Sequence, residues 1–311
     1  MDPFTHSLTS GVLARSGIRQ RIGGEATVAL LFASIFPDID IFSRFWGVSA
    51  VIRNHRGITH SFLVAPVFAL FIASMVYRFG NYKKLWNLFG LCLMGMYIHI
   101  FFDLCTSYGT QIFAPLTDRM YSLDFIVIID FYFSSILALG LVGSLLFKRR
   151  AQLIALTGVV CLVGYILLGA VNHSLALGQV KGAMAEKGEG FIKASAFPQF
   201  LSPFRWRGVV ETEGAYYRSL RFTIGSENIE LLKYEKIPPN RYIERACQLE
   251  ELKAFQWFAQ YPLVLYEQED DRHIVRLVDL RFSGPEQRGG FASMLVVLDN
   301  DGRIIERKVG F

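Results

Sequence analysis

Four apolar runs, at residues 60–79, 85–105, 123–147 and 152–172, limit this chain to folds that live in lipid. About 20 apolar residues at about 1.5 Å each cross a hydrocarbon core of about 30 Å. Inside that core every backbone N–H and C=O needs a partner within the protein, which leaves helices as the spanning form here. Two shorter apolar pieces, at about 6–15 and 26–36, cannot cross alone and read as half-depth or re-entrant helices.

Hydrophobic residues make up 52% of the chain. Nearly all of that excess precedes residue 175, so the average conceals two unlike halves. The expected architecture is an α-helical multi-pass membrane domain over 1–175, with four transmembrane helices plus two short N-terminal helices. A soluble α+β domain with mainly antiparallel sheet follows over 176–311.

Short basic loops favour the cytoplasm. Arg78, Lys83 and Lys84 join the first two runs, Lys148, Arg149 and Arg150 join the last two, and Arg15, Arg19 and Arg21 fit the same side. The 104–122 loop and everything after residue 173 then face outward. That makes an inner-membrane protein with an extracytoplasmic C-terminal domain. Met1-Asp2-Pro3 lacks the basic start of a secretory signal, so the first run is expected to direct insertion. The net charge of +5 sits in the membrane half and reads as orientation; no nucleic-acid partner is expected. Cys92, Cys105 and Cys161 lie in or beside the runs and Cys247 stands apart, which suggests no disulfide framework.

In the second half, residues 206–212, 215–224, 273–282 and 291–298 alternate as half-buried strands do. Asn300-Asp301-Gly302 is a turn before a last strand near 303–309, and 239–258 reads as one amphipathic helix. His273, beside Asp270-Asp271, reads as solvated. Arg205, Arg207, Arg218 and Arg221 face either phospholipid headgroups or simply solvent. No catalytic constellation stands out in this half.

The chemistry-bearing residues collect at one end of the apolar runs. His99 and Asp103 are i,i+4 on one run and share a helix face. An imidazole and a carboxylate so arranged are a ligand pair for zinc or another divalent ion, or else a proton relay or a buried hydrogen bond. His55-Arg56-Gly57-Ile58-Thr59-His60-Ser61 stands at the mouth of the first run, with Thr59 as a helix cap and His60 at the helix start. Pro37-Asp38-Ile39-Asp40 offers two carboxylates after a helix-stopping proline, and a hairpin of the two short helices brings His6 beside them. Asp124 begins the third run and Asp130 lies about 9 Å deeper; at most one is a direct ligand, Asp130 ranking above Asp124, which serves equally well as a helix cap. Arg53, Arg56 and Arg119 either clamp an anion or snorkel to the interface. His173 reads as interfacial.

Asp2-Pro3-Phe4-Thr5-His6, Pro37-Asp38-Ile39-Asp40, His55 to Ser61, His99 with Asp103, and Thr106-Ser107-Tyr108-Gly109-Thr110 through Pro115 to Asp130 follow one another in order. Over roughly the first 175 residues this resembles the YdjM-type family of inner-membrane proteins. That family is described as membrane-bound, metal-dependent hydrolases, some under LexA control. The resemblance implies hydrolysis and a divalent metal, with His6, Asp38, Asp40, His55, His60, His99, Asp103 and Asp130 as candidate ligands. So many donors exceed the needs of one tetrahedral zinc. Two ions, zinc or manganese, or one ion with outer carboxylates and a general base, fit the number better.

The expected function is hydrolysis of a lipid or lipid-linked ester or phosphoester at the outer face, through an activated water. Asp40 is the candidate base and Arg56, or Arg53, the anion binder. The rival readings are an ion-coupled transporter and a metal-binding membrane protein without hydrolase activity. Clustering of the ionisable residues at one face favours the enzyme.

Overall fold

The computed structural model describes residues 1–286 and 290–310, which form two compact units. In chain order the helices are α1 (Pro3–Leu13), α2 (Arg19–Ile22), α3 (Gly24–Ile35), α4 (Val48–Asn54), α5 (Ala65–Phe79), α6 (Leu85–Leu104), α7 (Phe131–Leu146), α8 (Ala151–Glu186), α9 (Arg241–Cys247) and α10 (Glu250–Phe258). The first unit comprises Met1–Phe42, Asn54–His173 and Pro198–Pro203. Asp2 starts α1 by accepting the Thr5 N–H at 3.0 Å, with Pro3 in the first turn, where its missing N–H costs nothing.

Among the described residues three helical stretches are long and apolar enough to cross a membrane: Gly24–Trp46, Leu85–Leu104 and Lys148–Glu186. Val48–His60 with Ala65–Phe79 makes a fourth if that pair, bent by 71°, is one span. Two expectations change here. The piece expected as a half-depth helix over 26–36 continues past Pro37, because the winding tightens into a 3-10 stretch, Phe36–Trp46, and goes on. The run expected as a span over 123–147 is helical only from Phe131. Residues 106–129 instead fold back on themselves through bridges pairing Thr106 with Ile126 and Thr110 with Tyr121. Asp124 sits in that loop at φ 58°, so it caps no helix. Thr59 likewise caps none, since the helix starts at Ala65.

Two apolar cores hold this unit. Small and medium residues of α3, α5 and α6, such as Ala29, Ala33, Ala69, Ala73 and Met96, make one. Leu8 and Val12 of α1 pack with Phe133, Leu137, Ala155 and Leu162 in the other. Helices approach closely there: a Cβ added to Gly140 would lie 3.4 Å from the Gly158 Cα. Small residues at such crossings let backbones pack where lipid offers no competing hydrophobic drive.

The second unit comprises Ser43–Arg53, Ser174–Phe197 and Phe204–Phe311. Its strands are β1 (Lys193–Gln199), β2 (Ser202–Glu211), β3 (Ala215–Ser219), β4 (Phe222–Thr223), β5 (Leu231–Glu235), β6 (Pro262–Glu269), β7 (Arg272–Asp279), β8 (Ser293–Leu298) and β9 (Ile304–Gly310). They form a five-stranded sheet ordered β1-β2-β3-β5, with β4 on β2, and an antiparallel meander β6-β7-β8-β9. Ala176, Val180 and Met184 of α8 cover one face of the first sheet through Trp206, Val210 and Tyr217. The two sheets meet through Val209, Tyr216, Tyr261, Leu263 and Val278. His273 corrects the expectation of a solvated side chain: it is 3% exposed. Its ring stacks on Tyr242 with centroids 3.5 Å apart and bonds the Tyr266 hydroxyl at 2.8 Å and Asn300 Oδ1 at 2.9 Å.

The Gly140–Gly158 crossing makes a prediction. Gly140→Leu should lower the melting midpoint in detergent by about 3–10 °C, the cost expected of overpacking at a close crossing. Gly90→Leu, at a position with nothing within 4 Å, should leave the midpoint nearly unchanged.

Candidate metal centre

The centre is built where α3 and α6 end. Pro37 has no N–H to give the Ser34 carbonyl in an i→i+3 turn. His99, in the last turns of α6, takes that acceptor: its Nδ1 lies 2.6 Å from the Ser34 oxygen. A carbonyl only accepts, so His99 Nδ1 carries the proton and Nε2 is bare. His60 is fixed in the same sense. Its Nδ1 lies 3.0 Å from Asp40 Oδ2, a carboxylate oxygen, so in the neutral ring its Nε2 is bare as well.

The two bare nitrogens point at each other across 3.0 Å. Around them stand Asp103 Oδ2, 3.1 Å from His60 Nε2 and 3.6 Å from His99 Nε2, and Asp38 Oδ1, at 3.7 and 3.6 Å from the same atoms. All four donor atoms lie within 4.8 Å of one another. With both rings neutral none of these atoms has a proton to share, and Asp103 Oδ2 is buried without a hydrogen-bond partner. Four lone-pair donors so crowded repel unless a cation lies among them. A tetrahedral ion with bonds of about 2.0–2.2 Å separates its donors by about 3.3–3.6 Å, close to the spacing here. Asp38, His60, His99 and Asp103 therefore fit a divalent metal ion.

Asp40 organises the loop above them. Oδ1 accepts from His55 Nδ1 at 2.8 Å, and Oδ2 accepts from the Arg56 N–H at 2.8 Å and the Thr59 hydroxyl at 2.9 Å, besides His60. Those bonds hold Arg56 at φ 59°, an uncommon conformation for a residue with a side chain. Gly57 follows by necessity, since a Cβ there would meet the Asn54 carbonyl oxygen at 2.7 Å. The turn buries the Arg56 side chain, which is 2% exposed. Its Nη2 reaches Asp103 Oδ1 at 3.1 Å, its Nη1 donates to Thr106 Oγ1 at 2.7 Å, and its guanidinium lies 4.8 Å over the Tyr108 ring. The Met1 nitrogen lies against the same Asp103 oxygen. Arg56 thus holds one oxygen of Asp103 and leaves the other to the centre.

The remaining candidates fall at graded distances from this point. His6 stacks on His99 with centroids 3.7 Å apart, and its Nε2, buried and without a hydrogen-bond partner, lies 3.4 Å from Asp103 Oδ1. His55 touches the group through Asp40. Asp130 is not brought into the four-donor group. It caps α7 by accepting the Phe133 N–H at 2.9 Å, and its oxygens accept from the Tyr165 hydroxyl at 3.0 and 2.9 Å. Arg53 lies over the Trp257 ring and Arg119 over Tyr121. His173 neighbours Phe125. The Ser34 carbonyl, Thr106 and Tyr108 are contributors that residue types alone did not single out as site residues. Their signals were the proline three residues after Ser34 and the Thr106–Thr110 motif.

Residues 1–176 match the family described as YdjM inner membrane protein. The chain belongs to that family. It is also similar to a Bacillus subtilis (strain 168) protein named "Uncharacterized protein YfhP", 26% identical over 258 residues, which covers 82% of this chain and 76% of that protein. No solved structure matches the chain.

Elemental analysis of detergent-purified protein separates inner from outer residues. His60→Ala and Asp103→Ala should each abolish bound divalent metal, while Asp130→Asn should keep it. Asp40→Ala leaves all four donors but frees the His60 ring, so metal affinity should fall by about 10–100-fold. Loss of metal from a folded Asp130→Asn protein would contradict the four-residue centre.

Proposed function

We propose that this chain is a membrane-bound, metal-dependent hydrolase acting on a lipid or lipid-linked ester or phosphoester at the outer face of the inner membrane. The observation that carries the reading is the pair of bare imidazole nitrogens 3.0 Å apart, flanked by two carboxylates. A divalent ion held by Asp38, His60, His99 and Asp103 supplies Lewis acidity toward a carbonyl or phosphoryl oxygen and makes a bound water more acidic.

The chain's own groups divide the remaining work. Arg56 Nε, buried and without a hydrogen-bond partner, donates to an anionic oxygen of the substrate, while its other nitrogens fix Asp103. His6 Nε2, equally without a partner, accepts the proton of the attacking water. Asp40 is a poorer base than its position in the sequence suggests, because four donors already occupy its oxygens. It orients His60.

The lipid part of the reading rests on location and on a groove. Val28, Phe32 and Phe36 of the α3 side face Phe71, Met75 and Phe79 of α5 around an apolar groove of about 670 Å³. The groove follows α3, 12 residues or about 18 Å long, and reaches Phe36, two residues before Asp38. An acyl chain lying there would bring its polar end to the metal donors. The outward orientation rests on the basic loops: Lys83 and Lys84 precede α6, and His99 stands about 22 Å along that helix from Lys84.

The test is turnover of phospholipids and lipid phosphates by the purified chain in detergent. Chelation and Asp103→Ala should each abolish product release, and His6→Ala should keep the metal while lowering kcat by about 10²–10⁴-fold. Met75→Trp, which fills the groove, should raise KM for long-chain substrates and spare short-chain ones. Stoichiometric metal without turnover, together with ion flux in proteoliposomes, would replace the hydrolase with the ion-coupled transporter.

A further inference from the structure

On the five-stranded sheet of the second unit, the buried Arg218 and the partly exposed Arg207 each keep a buried N–H that no described group accepts. Arg218 on β3 is 2% exposed. Its Nε donates to the Leu280 carbonyl at 3.3 Å and its Nη1 to Glu286 Oε1 at 3.2 Å. Its Nη2 is buried without a hydrogen-bond partner. Arg207 on β2 shares this feature through its buried Nε. Arg218 pairs with Val209 across β2 and β3, and Arg207 lies two residues from Val209 on the same face, a diagonal neighbour. That face is the inner one, since Val209 and Tyr216 belong to the core between the sheets. Tyr234, opposite Tyr216 on β5, lies near both arginines.

The charges at this place do not balance. Arg207, Arg218 and the nearby Arg221 face Glu286, whose side chain is 58% exposed and so contributes little as a counterion. Burial, with repulsion from Arg218 and Arg221, pushes Arg207 down to about 10. A guanidinium fork with unfilled donors matches the geometry of phosphate oxygens, and a buried arginine without an anion is costly.

We propose that Arg207 and Arg218, with Tyr234 beside them, form a binding site for a phosphate group on the inner face of the five-stranded sheet. The site is independent of the metal centre and of the hydrolase reading. The phosphate belongs either to a soluble phosphoester or to a phospholipid headgroup, and Glu286 competes with it for Arg218.

Isothermal titration of the full chain in neutral detergent tests this with two probes, inorganic phosphate and short-chain phosphatidylglycerol below its micellar concentration. Binding of phosphate alone identifies a soluble phosphoester; binding of the lipid, with or without phosphate, identifies a headgroup. Arg207→Gln, a partly exposed position that keeps the fold, should weaken binding by about tenfold or more. Glu286→Gln should tighten it several-fold, an effect that a purely structural arginine would not produce. Asp103→Ala, which empties the metal centre, should leave it unchanged. Failure of both probes to bind, or binding indifferent to both Arg207→Gln and Glu286→Gln, overturns the proposal.

Discussion

Two imidazoles that each donate through Nδ1 can only present lone pairs through Nε2, and in this protein those lone pairs face each other at 3.0 Å. The Ser34 carbonyl and the Asp40 carboxylate impose this state, and neither can be satisfied by the opposite tautomer. Asp38 and Asp103 then add negative oxygens to the same small volume. The arrangement makes sense around a cation, and the rest of the first unit can be understood as what holds four such donors together. Arg56 anchors Asp103 from behind; Asp40 steers His60; the end of α3 steers His99.

The supporting layer is dense because the donors come from segments far apart in the chain. Asp38 follows α3, His60 lies in the bent stretch between α4 and α5, and His99 and Asp103 end α6. The 106–114 loop locks these pieces: Gln111 N–H donates to the Arg56 carbonyl at 2.9 Å and Phe62 N–H to the Ile112 carbonyl at 3.0 Å. Ser61 Oγ reaches the Ala114 carbonyl at 2.5 Å. A loop buried at the edge of apolar helices must satisfy its backbone internally, and these bonds do so while fixing the ligand loop. One set of contacts thus meets two demands, that of the buried loop backbone and that of the four donors.

Much of the centre was legible because helices obey a period. His99 and Asp103 at i,i+4 announce a shared face, and the structure keeps it. Asp38 and Asp40 were legible as a pair but not in their division of labour. In a 3-10 stretch side chains two residues apart diverge, so Asp38 turns to the centre and Asp40 to the 55–60 loop. Asp130 looked costly because it was read as buried mid-span. It stands at a helix start, where an aspartate has ordinary work as a cap. In the second unit the alternating strands β2, β3, β7 and β8 were readable. The others lacked the cue: β1 carries Pro198, and β6 ends in the polar run Glu267 to Glu269. His273 was misread because its partners Tyr242, Tyr266 and Asn300 are distant in sequence or across a strand pair.

The composition of the centre also constrains how the first unit folds. Asp38, His60, His99 and Asp103 offer acceptors only, so closing the unit without a cation forces like lone pairs together in surroundings that screen poorly. A metal held there would link its uptake to folding, since the donors converge only in the folded chain. The same reasoning explains why Arg56 is held so firmly despite its strained φ. Its guanidinium at Asp103 Oδ1 lowers the repulsion among the four donors and leaves Asp103 Oδ2 unoccupied.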